Sequence, residues 1–194
     1  MRLSKSGYYA DLVIYPIVVI ALAIAGIRNQ HSHLLAAFFL CCVLGLAAWT
    51  FVEYAMHRFL LHSIGTAADL HWMHHANPGA FIGTPSWLSL AAFAAVFIAM
   101  WALAGTEIAS GAVSGLVIGY IWYLVVHDAV HRWRLDRSSL LYKAKLRHVS
   151  HHHCAGRREG NFGVTTAFWD RCFGTVLDFS PGKSRNDRAL ADRR

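Results

Sequence analysis

The chain has 194 residues, of which 56% are hydrophobic and 15% charged, with a mean hydropathy of +0.37. A water-soluble domain carries about 25% charged residues, so this balance excludes an ordinary soluble enzyme and assigns most of the chain to lipid. The formal net charge of +7 would point to nucleic acid, but the placement of that charge along the chain is explained by membrane topology, which removes that class of partner.

Four apolar runs come first: Leu12–Ile27, Leu34–Val52, Trp87–Ala104 and Ile108–Val126. They hold 16, 19, 18 and 19 residues, and a helix needs roughly 20 to cross a hydrocarbon core of about 30 Å. Each predicts a membrane-spanning helix. The first is the shortest and contains Pro16; with Arg2 and Lys5 ahead of it and Ala23-Ile24-Ala25 inside it, a cleaved signal peptide is the competing reading. The rest of the topology is the same either way. Lys and Arg mark cytoplasmic segments, and with the N-terminus inside, 17 of the 18 basic residues are cytoplasmic and only Arg28 is outside. The turn between the third and fourth runs, Gly105–Ile108, has no basic residue and is short enough to make those two helices an antiparallel hairpin.

From Asp128 onward the chain is mixed and polar, with a helical stretch expected over Ser139–His153 and a Gly- and Arg-rich loop over Ala155–Gly163. The charged end, Ser180–Arg194, reads as a disordered tail. No internal repeat divides the rest, so residues 1–179 are expected to form one membrane-embedded domain. Cys41, Cys42, Cys154 and Cys172 make no disulfide framework.

Thirteen histidines are the anomaly. His31 and His33 fall in the outer loop, and His153 follows a cluster that is complete without it. The other ten form two clusters: His57, His62, His71, His74 and His75, then His127, His131, His148, His151 and His152. Residues three and four apart share a helical face, so His71 with His74 and His75, His127 with His131, and His148 with His151 and His152 each point together. The even number of spans between the clusters puts all ten on the cytoplasmic side, where a joint site is possible. Neutral imidazole is a good ligand for iron, zinc, copper and nickel, and polar groups at the membrane are costly unless they are used. Ten imidazoles exceed the roughly four to six that one ion accepts, so two metal ions are the natural count. Glu53, Asp69 and Asp128 lie near these ligands and are candidates to orient imidazole N–H groups from outside the metal shell. The fold class expected is all-α, integral to the membrane, with four transmembrane helices and a cytoplasmic polyhistidine cap for two metals.

The ten histidines and their four spacings resemble those of the membrane fatty acid hydroxylase and sterol desaturase superfamily, in its fatty acid hydroxylase branch. The segment from Asn161 to Thr175, with Phe168-Trp169-Asp170 at its centre, is similar to the block that closes the catalytic domain of that branch. The likeness runs from about Val52 to Val176. It departs at Leu124, where an aspartate often follows the tyrosine, here Tyr123, and at Arg132, where a further histidine often follows. Both departures bear on the substrate rather than the metal site. His127-Asp128-Ala129-Val130-His131-Arg132 is also similar to the carotenoid ring hydroxylases, whose histidine pair is one residue further apart.

The resemblance implies a diiron monooxygenase: two iron ions, replaceable by zinc in preparations, with O2 as co-substrate and one oxygen atom inserted into a C–H bond of a membrane lipid. A fatty acyl chain is the first substrate class and a carotenoid ring the second; lipid desaturation is the neighbouring reaction, and a metal-binding membrane protein without catalysis is the alternative from another class. The chain has no haem, flavin or iron–sulfur motif, so a separate electron-transfer protein or reductase is expected as partner. A multi-pass protein of a bacterial inner membrane, with its site on the cytoplasmic face, completes the expectation.

Overall fold

A computed structural model describes residues 1–28, 32–154 and 160–177; His31, most of the Ala155–Gly163 loop and the expected tail Ser180–Arg194 lie outside the described residues. The order is α1 (Lys5–Tyr9), α2 (Asp11–Ile27), α3 (Ser32–Ala55), a π-helical segment (Met56–Leu61), α4 (Gly65–Ala76), α5 (Ser86–Ala104), α6 (Thr106–Arg132), α7 (Leu140–Cys154) and α8 (Phe168–Cys172). Apart from an isolated antiparallel bridge between Arg2 and Ile82, the described residues contain no strand. Four helical stretches are long and apolar enough to cross a membrane: Lys5–Ile27, His33–Leu61, Ser86–Ala104 and Thr106–Arg132. The all-α, four-span expectation therefore matches.

The chain forms two compact units, Met1–Val52 with Ala80–Trp122, and Glu53–Gly79 with the residues from Tyr123 onward. The first unit is turned inside out relative to a soluble bundle. Val13, Ile17, Ile20 and Ile24 form an exposed stripe on α2, and none of α5 is buried, as helices facing hydrocarbon require. Its interior is aromatic and polar: Tyr15 is fully buried, with its ring 5.1 Å from Tyr120 and 5.6 Å from Phe93. The Tyr15 hydroxyl donates to Ser89 Oγ at 2.7 Å, and the Tyr120 hydroxyl to Asp11 Oδ2 at 2.6 Å. Trp49, which its position near a span end would assign to the interfacial belt, instead joins this cluster, 5.3 Å from Tyr120.

Small residues set the spacing of α3 and α6. A Cβ added at Gly45 would run into the Ala112 carbonyl, at Gly111 into that of Phe38, and at Gly115 into that of Cys42. The two backbones therefore touch at Gly45, Gly111 and Gly115, and Gly119 continues the ridge against the Trp49 side chain, the small-residue contact by which helices associate where lipid removes the hydrophobic drive. The α5–α6 hairpin predicted from the short turn closes through a single residue, Gly105, at φ 84, a conformation that a Cβ disfavours.

The second unit is built on Val126 and Val130 of α6, Ala144 of α7 and Val164, with Tyr123 and Leu141 packed against them. The helix expected over Ser139–His153 appears as α7, with Ser139 Oγ accepting from the Tyr142 N–H at 3.1 Å, a side-chain cap that stops the helix running further back. All ten candidate histidines belong to this unit.

Candidate metal centre

Four helical segments deliver the imidazoles. His57 lies in the π-helical segment and His62 just after it. In an α-helix two residues five apart diverge by about 140°, so this pair could not converge. The wider i→i+5 turn of a π-helix returns the fifth residue to the same side, and the two rings are 5.3 Å apart. Sequence periodicity missed this turn; the only signal for it was a spacing that neither three nor four residues could explain.

The histidines gather into two sets whose ligand nitrogens lie within 4.8 Å of one another: His57, His62, His71, His75 and His151, and His74, His131, His148 and His152. Either set could hold a metal ion. The division does not follow the two clusters of the sequence, because His151 crosses into the first set and His74 into the second. Neighbouring residues on a helix point about 100° apart, so the pairs His74-His75 on α4 and His151-His152 on α7 each send one ring to each set. Between the sets the His75 and His152 rings stack with centroids 4.1 Å apart. The tenth histidine, His127, falls outside both sets but lies against the second, its ring 4.7 Å from His131 and 4.9 Å from His74. His33 is at the exposed start of α3, and the side chain of His153 is outside the described residues.

The nitrogen geometry fits metal ligation better than hydrogen bonding. His71 Nε2 is 3.0 Å from His57 Nε2, 3.1 Å from His62 Nε2 and 2.9 Å from His75 Nε2. In the second set His131 Nε2 is 2.8 Å from His148 Nε2 and 3.1 Å from His74 Nε2. A neutral imidazole has one N–H, so one nitrogen cannot satisfy three others. Donors about 2.1 Å from a common ion at right angles are about 3.0 Å apart, which is the separation found. His57 Nδ1 donates to the Phe162 carbonyl at 2.6 Å, and His151 Nδ1 to the Gly160 carbonyl at 2.7 Å. A carbonyl only accepts, so both Nε2 atoms carry bare lone pairs aimed into the first set.

Burial also disfavours the charged form of His71, His74, His75, His148, His151 and His152. It pushes His74 down to about 4, helped by the Arg132 charge. It takes His151 to about 4 against the opposing Gly160 hydrogen bond, and His75 to about 3 with the nearby His151 charge adding to the effect. His71, His148 and His152 are lowered further, by burial first and then by neighbouring histidines, foremost His57 for His71, His131 for His148 and His75 for His152. At neutral pH these rings offer lone pairs rather than positive charges.

The carboxylates expected around the site have other tasks. Glu53 Oε1 accepts from the Val164 and Thr165 N–H groups at 2.7 and 2.9 Å, and its Oε2 from the Thr165 hydroxyl at 2.6 Å. Asp128 pairs with Arg132 at 2.8 Å and accepts from Trp133 Nε1 at 3.2 Å. Asp69 stands on the exposed side of α4. The role foreseen for them, orienting imidazole N–H groups, is filled at His57 and His151 by main-chain carbonyls. Two further residues, Asp170 and Asn161, hold that main chain and escaped notice as individuals. Asp170 is fully buried and accepts from Phe162 N and Gly163 N at 2.9 and 2.8 Å and from Thr175 Oγ1 at 2.7 Å. Asn161, at φ 56, donates to Ser150 Oγ at 2.7 Å.

Residues 42–175 match the fatty acid hydroxylase family. Among curated proteins, the chain is 31% identical over 188 residues to a ceramide very long chain fatty acid hydroxylase of Saccharomyces cerevisiae, covering 90% of this chain and 47% of that one. It is 30% identical over 155 residues to a fatty acid 2-hydroxylase of Macaca fascicularis, covering 72% of this chain and 40% of the relative. The chain thus spans less than half the length of these two relatives. A solved structure of scs7p, in which only the hydroxylase domain is visible, superposes with a TM-score of 0.70 at 27% identity, over 89% of this chain and 67% of that one.

Proposed function

Because the chain belongs to the fatty acid hydroxylase family, we propose that it is an O2-dependent hydroxylase that inserts one oxygen atom into a C–H bond of a membrane lipid, with a fatty acyl chain as the first substrate class. The observation that carries this reading is the convergence of nine imidazoles into two sets of mutually close nitrogens, in a chain that also has four candidate membrane spans. The likeness to 2-hydroxylases acting on fatty acyl and ceramide substrates supports the substrate class.

His57, His62, His71, His75 and His151 hold one ion and His74, His131, His148 and His152 the other, with His127 beside the second as a further ligand. Two iron ions, when bound, supply the redox chemistry that activates O2. The protein contributes neutral lone pairs at fixed positions and the carbonyls of Gly160 and Phe162 that select the tautomers of His151 and His57. Insertion of one atom of O2 into a C–H bond reduces the other to water, which consumes two electrons and two protons. A separate electron-transfer protein or reductase supplies the electrons.

The test is labelled oxygen. Expressed with a reductant system in a lipid-rich host, the protein should yield acyl lipids heavier by one oxygen atom, with the label following O2 and not water. Products lighter by two hydrogens and carrying no label would instead make it a desaturase, and labelled carotenoid rings would move the substrate class.

The charge asymmetry, 17 basic residues of 18 on one side of the expected topology, supports a cytoplasmic face for the histidines. A reporter in the Gly105 turn should therefore be found outside and one after Arg194 inside. Both on the same side would refute the four-span topology.

A further inference from the structure

The two histidine sets are not built alike. The first receives two main-chain anchors, at His57 from Phe162 and at His151 from Gly160. Those carbonyls belong to a loop in which four consecutive amides, Phe162 to Thr165, all donate to two buried carboxylates, Asp170 and Glu53. With its N–H groups taken on one side, the loop presents its carbonyls to the imidazoles on the other. In the second set, among the described residues, the buried Nδ1 atoms of His74, His148 and His152 have no protein acceptor. In the first, His75 Nδ1 is in the same condition, so the contrast between the sets lies in the two anchored rings.

We propose that Asp170 and Glu53 are positioning residues for the five-histidine set, acting through the 160–165 loop, and that this set takes its ion first and more tightly than the four-histidine set. The inference rests on the metal reading above. The physical reason is preorganisation: a ligand whose ring orientation and tautomer are already fixed loses less freedom when it binds, and removing such supports in metalloproteins lowers affinity by about 10–100-fold. Asp170→Asn would turn an amide NH2 toward the Phe162 or Gly163 N–H, opposing two donors and loosening both anchors. Thr165→Val is milder, since it removes only the hydroxyl that Glu53 Oε2 accepts.

The experiment is a zinc titration of the metal-stripped full chain in detergent, followed by competition with a chelating dye. Wild-type protein should bind in two separable steps, the tighter weakened most by His62→Ala and the weaker by His131→Ala. Asp170→Asn should weaken the tighter step about 10–100-fold and leave the other within about twofold. Thr165→Val should weaken the tighter step alone by a smaller factor, and it carries the test if Asp170→Asn does not fold. A general loss of structure would lower both steps together, and that result overturns the inference. So does a tighter step that follows His131→Ala. Wild-type protein that takes up no zinc would overturn the metal reading itself, and this inference with it.

Discussion

Replacing His151 by Ala should abolish hydroxylated lipid, to below about one hundredth of wild type, while leaving the amount of membrane-embedded protein unchanged. The side chain is 2% exposed and has two duties. Its Nε2 is 3.2 Å from that of His62, so the first set loses a ligand, and its Nδ1 no longer meets the Gly160 carbonyl. Changing a group one step removed from a metal costs about 10–100-fold in affinity or activity, so loss of a ligand costs more. Metal content, measured on purified protein, should fall from about two ions per chain toward one. His33→Ala, at the exposed start of α3, should change neither product nor metal. If the two variants behave alike, or if His151→Ala retains wild-type product, the ligand assignment is wrong.

Gly115→Leu should prevent the first unit from assembling. Even a Cβ at this position runs into the Cys42 carbonyl and the Leu46 backbone nitrogen, so the clash is with main chain that cannot rotate away. Overpacking a core usually costs about 1–3 kcal/mol, and here two backbones must separate, so the loss should reach or exceed the top of that range. Protein yield and thermal unfolding in detergent measure it. Gly79→Ala is the control, because its added Cβ would meet only Asn77 Oδ1, at 3.7 Å. Equal stability of the two variants would mean that α3 and α6 are not held at this distance.

The spans were readable because composition alone decides what can sit in lipid, and the histidine faces because three- and four-residue spacing is intrinsic to a helix. The partition of those histidines was not readable. Whether His74 or His75 joins a given set depends on where the partner helices stand, and the spacing of His57 and His62 makes sense only with a π turn. The partners of Glu53 were unreadable for a similar reason. Glu53 is near His57 in sequence, yet its partners are Val164, 111 residues away, and Thr165. Asp170 was visible only within the family-like block, because a buried carboxylate that collects backbone N–H groups has no local pattern. The glycine ridge at Gly111, Gly115 and Gly119 was in plain sight as a four-residue repeat, but its meaning depends on a facing helix.

The crossing of His74 and His151 between the sets bears on the order of biosynthesis. No continuous stretch of the chain carries a complete set, since α4 and α7 both contribute to each: His71 and His75 with His151 to the first, His74 with His148 and His152 to the second. A ribosome that has released only the first three spans and α4 has made part of each set and the whole of neither. The growing chain can assemble either complete ligand set only after α7 has emerged, and the carbonyls that steady His57 and His151 come later still. On the proposed metal assignment, loading would follow insertion of the spans instead of guiding it, and an iron-starved cell should accumulate fully inserted apoprotein.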